Sequence, residues 1–328
     1  MKKIVLLFAF FTIFIFGYSE IFSIPIKDSN ITSSFGEYRN TGNDPHFHLG
    51  VDFSTFNREN IDVYCSSDGY LYKVWINDPV YGNTVFIKHD DLSLITVYGH
   101  LNSFSDKIES FIAVVRKQYE KQDNRIEVIF PNKEIPVKRN EIIAKSGSTG
   151  EALAPHLHFE VREETGGDEL IRDPLEYLEY YETRVKSLEL MSVRANNKYY
   201  DVSENESVNI EYYGDYPSIE IRVREKLGNN TTIMVKNIKM KINDKLVYET
   251  DFSKILGSES YNPDPVFGYG STSSIYWVKL YSNVFMTPIK TNNLLQLTGN
   301  TQKTLKAEII LEDFWGNKKS YYINFIKY

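Results

Sequence analysis

All six histidines of this 328-residue chain, at positions 46, 48, 89, 100, 156 and 158, fall in its first half. Cys65 is the only cysteine, which excludes an intrachain disulfide framework and a cysteine-cluster metal site. Any metal must therefore be held by His, Asp or Glu. Without thiolates, zinc takes imidazole and carboxylate ligands, and a catalytic site needs three of them with the fourth position left to water. His48 and Asp52 stand four apart in FHLGVDFS, where Gly50 lets the backbone turn so that both side chains can converge on one ion. His156 and His158 stand two apart in APHLHFEVR, so on a strand both imidazoles address the same space. His100 closes the apolar run LITVYGH, and a strand end can present an imidazole at a surface. No HExxH motif is present, so the glutamate base of the common zincins is missing. A lone strand histidine is more often a satisfied structural residue; the chemistry rests on the set.

The elements that must position this set are strands. From about Ile24 to Leu178 short β-type runs alternate with glycine and asparagine turns: IDVYC, GYLYKVWI, GNTVFIKH, LSLITVYGH, RIEVIF, EIIAKSG and HLHFEVRE. Between them, DKIESFIAVVRKQYEKQ places Ile108, Phe111, Ile112 and Val115 at helical spacing. The expected fold class is mostly β: an antiparallel β-rich domain over residues 24–180 with a helical insertion at about 102–136. The polar stretch 179–188 reads as a linker. Residues 189–328 read as a β-sandwich, Ig-like in outline, with hairpins turning at Asn243-Asp244 and Gly316-Asn317.

Composition agrees with two folded parts: 42% hydrophobic residues and 47 aromatics (24 Tyr, 20 Phe, 3 Trp) exclude a disordered or collagen-like chain. A net charge of −7 leaves no broad basic footprint for nucleic acid. Residues 24–180 carry 16 Lys+Arg against 26 Asp+Glu, a balance of −10, whereas residues 181–328 carry 19 against 17, or +2. Residues 1–19 (MKKIVLLFAFFTIFIFGYS) read as a secretory signal peptide, with two lysines, an apolar run from Ile4 to Phe16, and Gly17 and Ser19 at small-x-small spacing. As a helix that run rises about 20 Å against a bilayer core of about 30 Å, so cleavage is expected rather than a permanent span. The expected location is the periplasm, cell envelope or exterior, without membrane association after cleavage.

Taken together and in this order, the pieces resemble the lysostaphin and LytM-type zinc metallopeptidases, the duplicated-hybrid-motif family. Further matching stretches are SSFGEYR, VYCSSDGYLYKV, YGNTVFIKH, VYGHL, IIAKSGSTGEALAPHLHFEVR and DPLEYL. The resemblance covers about residues 30–178 and not the C-terminal half. It implies a LytM-like peptidase domain in which His48, Asp52 and His158 ligate Zn2+. It also implies that His156 and His100 contact the metal-bound water and the scissile amide. Two neutral imidazoles and one carboxylate leave the ion a net positive charge, which acidifies bound water toward about 7 and polarises a carbonyl. Of the two other histidines, one can take the water proton and one can stabilise the oxyanion; their order is open. The implied activity is an exported endopeptidase acting on the peptide cross-links of bacterial peptidoglycan.

Other readings stand beside this one. His46, two residues from His48, is a rival ligand, although the glycine and Asp52 follow His48. His89 and Cys65 read as packing residues. Gly147-Ser148-Thr149-Gly150 lacks the phosphate-loop context and reads as the turn feeding the HLH strand. Arg139-Asn140-Glu141 replaces a glycine common in the family, and Asn140 is the residue best able to take a left-handed turn there. The insertion after Leu101 is expected to form groove wall or lid. Two other functions are a non-catalytic scaffold or activator of a cell-wall amidase or divisome component, and a peptidase of proteins. The C-terminal half reads as a binding or positioning module through which a cell-wall protein could dock.

Overall fold

The computed structural model describes residues 21–40, 44–118, 124–204 and 206–328. The leader expected at residues 1–19 lies outside them. Among the described residues no helix is long and apolar enough to cross a membrane. The first half contributes strands β1 (Ile31–Ser33), β2 (Val51–Ser54), β3 (Gly69–Asp78), β4 (Gly82–His89), β5 (Leu94–Phe104), β6 (Ile126–Ile129), β7 (His156–Glu164) and β8 (Glu169–Arg172). The second contributes β9 (Lys186–Ala195), β10 (Val208–Tyr212), β11 (Glu220–Leu227), β12 (Asn237–Ile242), β13 (Lys245–Asp251), β14 (Lys254–Leu256), β15 (Tyr276–Lys279), β16 (Thr304–Glu312) and β17 (Lys318–Lys327).

The sheet that carries the histidines runs β1-β2-β7-β5-β4-β3, each neighbour antiparallel. Its centre is β7, where strict alternation sends Leu157, Phe159 and Val161 into the hydrophobic core and leaves the opposite face to His156, His158, Glu160 and Arg162. Register places His158 across from Asp52 on β2 and from Gly99 on β5. A one-residue slip would turn both histidines into the core, so the apolar side of the strand fixes the site.

Helix α1 (Asp106–Gln118) forms where the spacing predicts, burying Ile108 and Ile112 while Phe111 stays half exposed. Each buried isoleucine contributes about 2 kcal/mol to docking it. After residues 119–123 the chain returns as β6 and pairs with β3, so the insertion lengthens the sheet as well as adding a helix.

In the second half, β9, β11 and β15 form part of one sheet, and β10, β17, β16, β12 and β13 part of another. Leu190, Val193, Ile221 and Val223 of the first meet Ile238, Met240, Ile309 and Phe325 of the second in one core. The β12–β13 hairpin turns at Asn243 and Asp244, with φ of 48° and 66°, the left-handed pair that a two-residue type I′ turn requires.

The two halves are joined by more than chain continuity. Strand β14 pairs with β8 through Leu170–Leu256, Ile171–Ile255 and Arg172–Lys254, so the second half extends the histidine-bearing sheet. Phe35, Phe47 and Ile171 belong to the core of the second half. Residues 179–188, read as a linker, run against β1: Tyr180 Oη accepts from Ile31 N–H at 3.3 Å and Arg184 Nη2 donates to the Ile31 carbonyl at 2.8 Å.

Candidate active site

His48 follows a short ribbon in which His46–Phe47 pairs with Tyr38–Arg39, Asp52 lies on β2, and His158 on β7. Their side chains converge. His48 Nε2 lies 3.0 Å from Asp52 Oδ1 and 3.0 Å from His158 Nδ1, and His158 Nδ1 lies 3.1 Å from Asp52 Oδ1. All three residues are buried. His48 Nδ1 faces the Ser34 carbonyl at 2.8 Å. A carbonyl can only accept, so Nδ1 carries the proton and Nε2 offers a lone pair. His158 Nε2 faces Glu160 Oε1 at 2.8 Å, which likewise turns Nδ1 toward the cluster.

Three acceptors meeting out of water require a cation between them. In the metal-free chain a proton fills that role: burial disfavours imidazolium at His158, but hydrogen bonds to Asp52 and Glu160 and their charges outweigh it and push it up to about 9. Burial likewise opposes charge on Asp52, yet His48, His156 and His158 hold its carboxyl well below the usual range. Tetrahedral zinc with bonds of about 2.0–2.1 Å has ligand atoms about 3.3 Å apart, close to the spacing here. The donor types, their tautomers and their spacing fit Zn2+.

His100 and His156 stand beside this cluster, their rings 4.6 Å apart and His100 5.8 Å from His158. His100 Nδ1 donates to the Thr149 carbonyl and His156 Nδ1 to the Ala154 carbonyl, each at 2.8 Å. Both Nε2 atoms are thereby left as lone pairs, His156 Nε2 lying 3.7 Å from Asp52 Oδ1. His100 has φ of 58°, a left-handed conformation that costs a non-glycine residue of order 1 kcal/mol and recurs at functional sites. It is anchored by its N–H to the Tyr81 carbonyl at 2.8 Å. Burial, helped by the neighbouring His156 and His158, lowers His100 to about 3, so it is neutral at physiological pH.

The GSTG segment supplies the Thr149 carbonyl from a turn in which Gly150 has φ of 75° and any Cβ would come within 2.4 Å of the Val80 carbonyl oxygen. His46 stays apart from the three-ligand cluster: its Nδ1 faces the Asp44 carbonyl and its ring lies 5.5 Å from Tyr261. His89 is satisfied by the Asp68 carbonyl and Thr96 Oγ1, both at 2.8 Å. Cys65 is buried, and burial pushes its thiol up to about 12. Asn140 adopts φ of 65°, the left-handed turn expected of it.

Glu160, Tyr81 and Arg162, which no sequence motif singled out, support the cluster. Glu160, fully buried, accepts from His158, from Tyr81 Oη at 2.7 Å and from Arg162 Nε at 2.5 Å. Its alternation with His158 on β7 is a signal the sequence carries.

The site opens into a groove of about 1270 Å³. The insertion supplies little of its wall. Among the described residues Arg125 alone comes from it, over Trp75 at 4.6 Å and 3.3 Å from Asp78, while α1 packs elsewhere. Wall expected of the insertion comes instead from Gly257, Ser260, Tyr261 and Ser273 of the second half, because the β8–β14 pairing carries the chain after β14 to the groove edge.

No family model matches the chain. Among solved structures it is similar to a zinc-containing peptidase from Vibrio cholerae, at 29% identity over 43% of this chain and 36% of that one, with a TM-score of 0.31. It is also similar to the catalytic domain of the antimicrobial peptidase lysostaphin from Staphylococcus simulans, at 24% identity over 45% and 91%, TM-score 0.32. A third is the catalytic domain of the prophage-encoded M23 protein EnpA from Enterococcus faecalis, at 21% over 43% and 85%, TM-score 0.29. The chain spans about a third of the Vibrio cholerae peptidase.

Proposed function

We propose that this chain is an exported zinc endopeptidase that hydrolyses the peptide cross-links of bacterial peptidoglycan. The observation that carries the reading is the pairing of three buried lone-pair donors, 3.0–3.1 Å apart, with two further imidazoles beside them whose Nδ1 donates to a backbone carbonyl and whose Nε2 keeps its lone pair. Zinc held by His48, Asp52 and His158 supplies Lewis acidity toward an amide carbonyl and acidifies water.

The chain's own residues do the proton work. With Nδ1 fixed on a backbone carbonyl, His100 or His156 accepts the proton of the attacking water at Nε2 and returns it to the leaving amine nitrogen. Its companion takes a proton from solvent at Nε2, donates it as a hydrogen bond to the carbonyl oxygen while negative charge develops there, and returns it to solvent after cleavage. Glu160 keeps His158 in the tautomer that turns Nδ1 to the ligand cluster. A groove of about 1270 Å³ exceeds the usual small-molecule pocket of roughly 300–1,000 Å³ and suits a peptide held in extended form. The leader expected at residues 1–19 and the family resemblance support a wall substrate.

The test compares digestion of purified sacculi with digestion of an unfolded protein by residues 20–328. Release of cross-link fragments from sacculi, lost on chelation, is expected. Stoichiometric zinc with no fragment release would favour the non-catalytic scaffold, and cleavage of the unfolded protein alone would make it a protein peptidase.

A further inference from the structure

Between the metal-ligand cluster and the second half of the chain lies the segment Ser34–Arg39, and its one buried carboxylate touches the supports of two ligands at once. Glu37 is 1% exposed. Its Oε1 accepts from Ser34 N–H at 2.7 Å and Ser34 Oγ at 3.0 Å, and the Ser34 carbonyl receives His48 Nδ1–H at 2.8 Å. Its Oε2 accepts from Arg39 Nη1 at 2.7 Å, and Arg39 Nη2 lies 3.5 Å from Asp52 Oδ2, the oxygen turned away from the cluster. The Glu37 backbone is bonded to the same ligand, its carbonyl accepting His48 N–H at 2.8 Å.

The second half closes this network from the other side. Met234 N–H donates to Ser34 Oγ at 3.2 Å. Tyr276 on β15 is buried, donates its hydroxyl hydrogen to the Ser273 carbonyl at 2.9 Å, and sets its oxygen beside the Glu37–Arg39 pair, where it can accept from the guanidinium. Phe252 presses on Gly36, where an added Cβ would lie 2.6 Å from its ring. Segment 34–39 is thus clamped, and a carboxylate buried in a clamp has no freedom to hold Arg39 and Ser34 in other arrangements.

We infer that Glu37 is a positioning residue for the metal centre, fixing His48 through Ser34 and Asp52 through Arg39, and that the second half, through Met234 and Tyr276, is a working part of that centre. The inference rests on the zinc-site reading above. Residues that orient metal ligands typically lower affinity about 10–100-fold when changed. The second half is then needed for metal binding itself, beyond any part it plays in holding substrate.

Zinc affinity by chelator competition and the visible spectrum of the Co2+-loaded protein, both on residues 20–328, provide the test, with circular dichroism as the fold check. Glu37→Gln is expected to weaken zinc binding about 10–100-fold and to alter the cobalt bands at unchanged fold, and Tyr276→Phe to do the same to a smaller extent. Ser258→Ala, which removes a contact between the halves to Asp168 outside the network, is expected to leave both readouts unchanged. If Glu37→Gln fails to fold, Tyr276→Phe decides, since it keeps the ring in the core. Wild-type affinity and spectrum in the folded variants, or an equal loss in Ser258→Ala, would overturn the inference while leaving the zinc site intact. Failure of the unaltered chain to take up either metal would overturn the site reading and this inference with it.

Discussion

Replacing Glu160 by glutamine removes one charge from the middle of a buried row and should be felt twice. On β7 the carboxylate lies between His158 Nε2 at 2.8 Å and Arg162 Nε at 2.5 Å, with Tyr81 Oη at 2.7 Å. Burial alone would raise its pKa, but Arg162 and His158 outweigh burial and bring it from 4.5 down to about 2. That difference is worth about 3 kcal/mol of metal-free stability. Because the value is depressed, the contribution is complete above pH 4.5 and lost as pH falls toward 2. A glutamine has one acceptor for three donors and sets an NH2 against one of them, so E160Q should lose stability of that order at pH 7. It also loosens the His158 tautomer, which should raise the zinc Kd about 10–100-fold, or about 1.4–2.8 kcal/mol. Urea unfolding of the metal-free protein measures the first effect, and chelator competition the second. Unchanged stability together with a Kd within about threefold of the original would refute the view that Glu160 orients His158.

Three further outcomes follow from the same geometry. Zinc must displace the proton that His158 holds up to about 9, so apparent zinc affinity should rise about tenfold per pH unit from 6 to 8; chelator competition across that range that gives a flat profile would contradict this. The matching metal-free stability is complete below 6.5 and lost as pH rises through about 9. Tyr261, 61% exposed on the groove wall, should on change to alanine raise KM several-fold with kcat within about twofold, and a fall in kcat alone would place it elsewhere in the reaction. A chain ending at residue 188 lacks the β14 partner of β8 and the Phe252 ring over Gly36, and should lose cooperative unfolding and zinc binding. Full retention of both would show the second half to be dispensable for the site.

Much of the candidate site was legible because a strand alternates. His-x-His on an apolar strand can face only one way when Leu157, Phe159 and Val161 must be buried, and the same period already puts Glu160 and Arg162 on the histidine face. Glu37 and Arg39 were visible in SSFGEYR only as residues. Their reach to Ser34 and Asp52 depends on the ribbon that folds Tyr38–Arg39 onto His46–Phe47, and no local pattern encodes that pairing. The helix of the insertion was read from its apolar spacing, but its place away from the groove was not, because position depends on which sheet surface receives Ile108 and Ile112. The wall built by residues 257–273 was hidden for a similar reason: it follows from pairing between β8 and β14, two short strands far apart in sequence. Turns were more transparent, since Asn243-Asp244 and Asn140 each take the left-handed conformation that their side chains tolerate.

In the proposed function three residues hold zinc and two move protons, and one paired measurement tests that division directly. Metal content and peptidoglycan-fragment release would be determined on the same preparations of residues 20–328, with His48→Ala and His156→Ala beside the unaltered chain. His48→Ala is expected to lose both zinc and activity, whereas His156→Ala is expected to keep stoichiometric zinc and lose activity by about 10²–10⁴-fold. Undiminished fragment release from His156→Ala, or full zinc content in His48→Ala, would contradict that division.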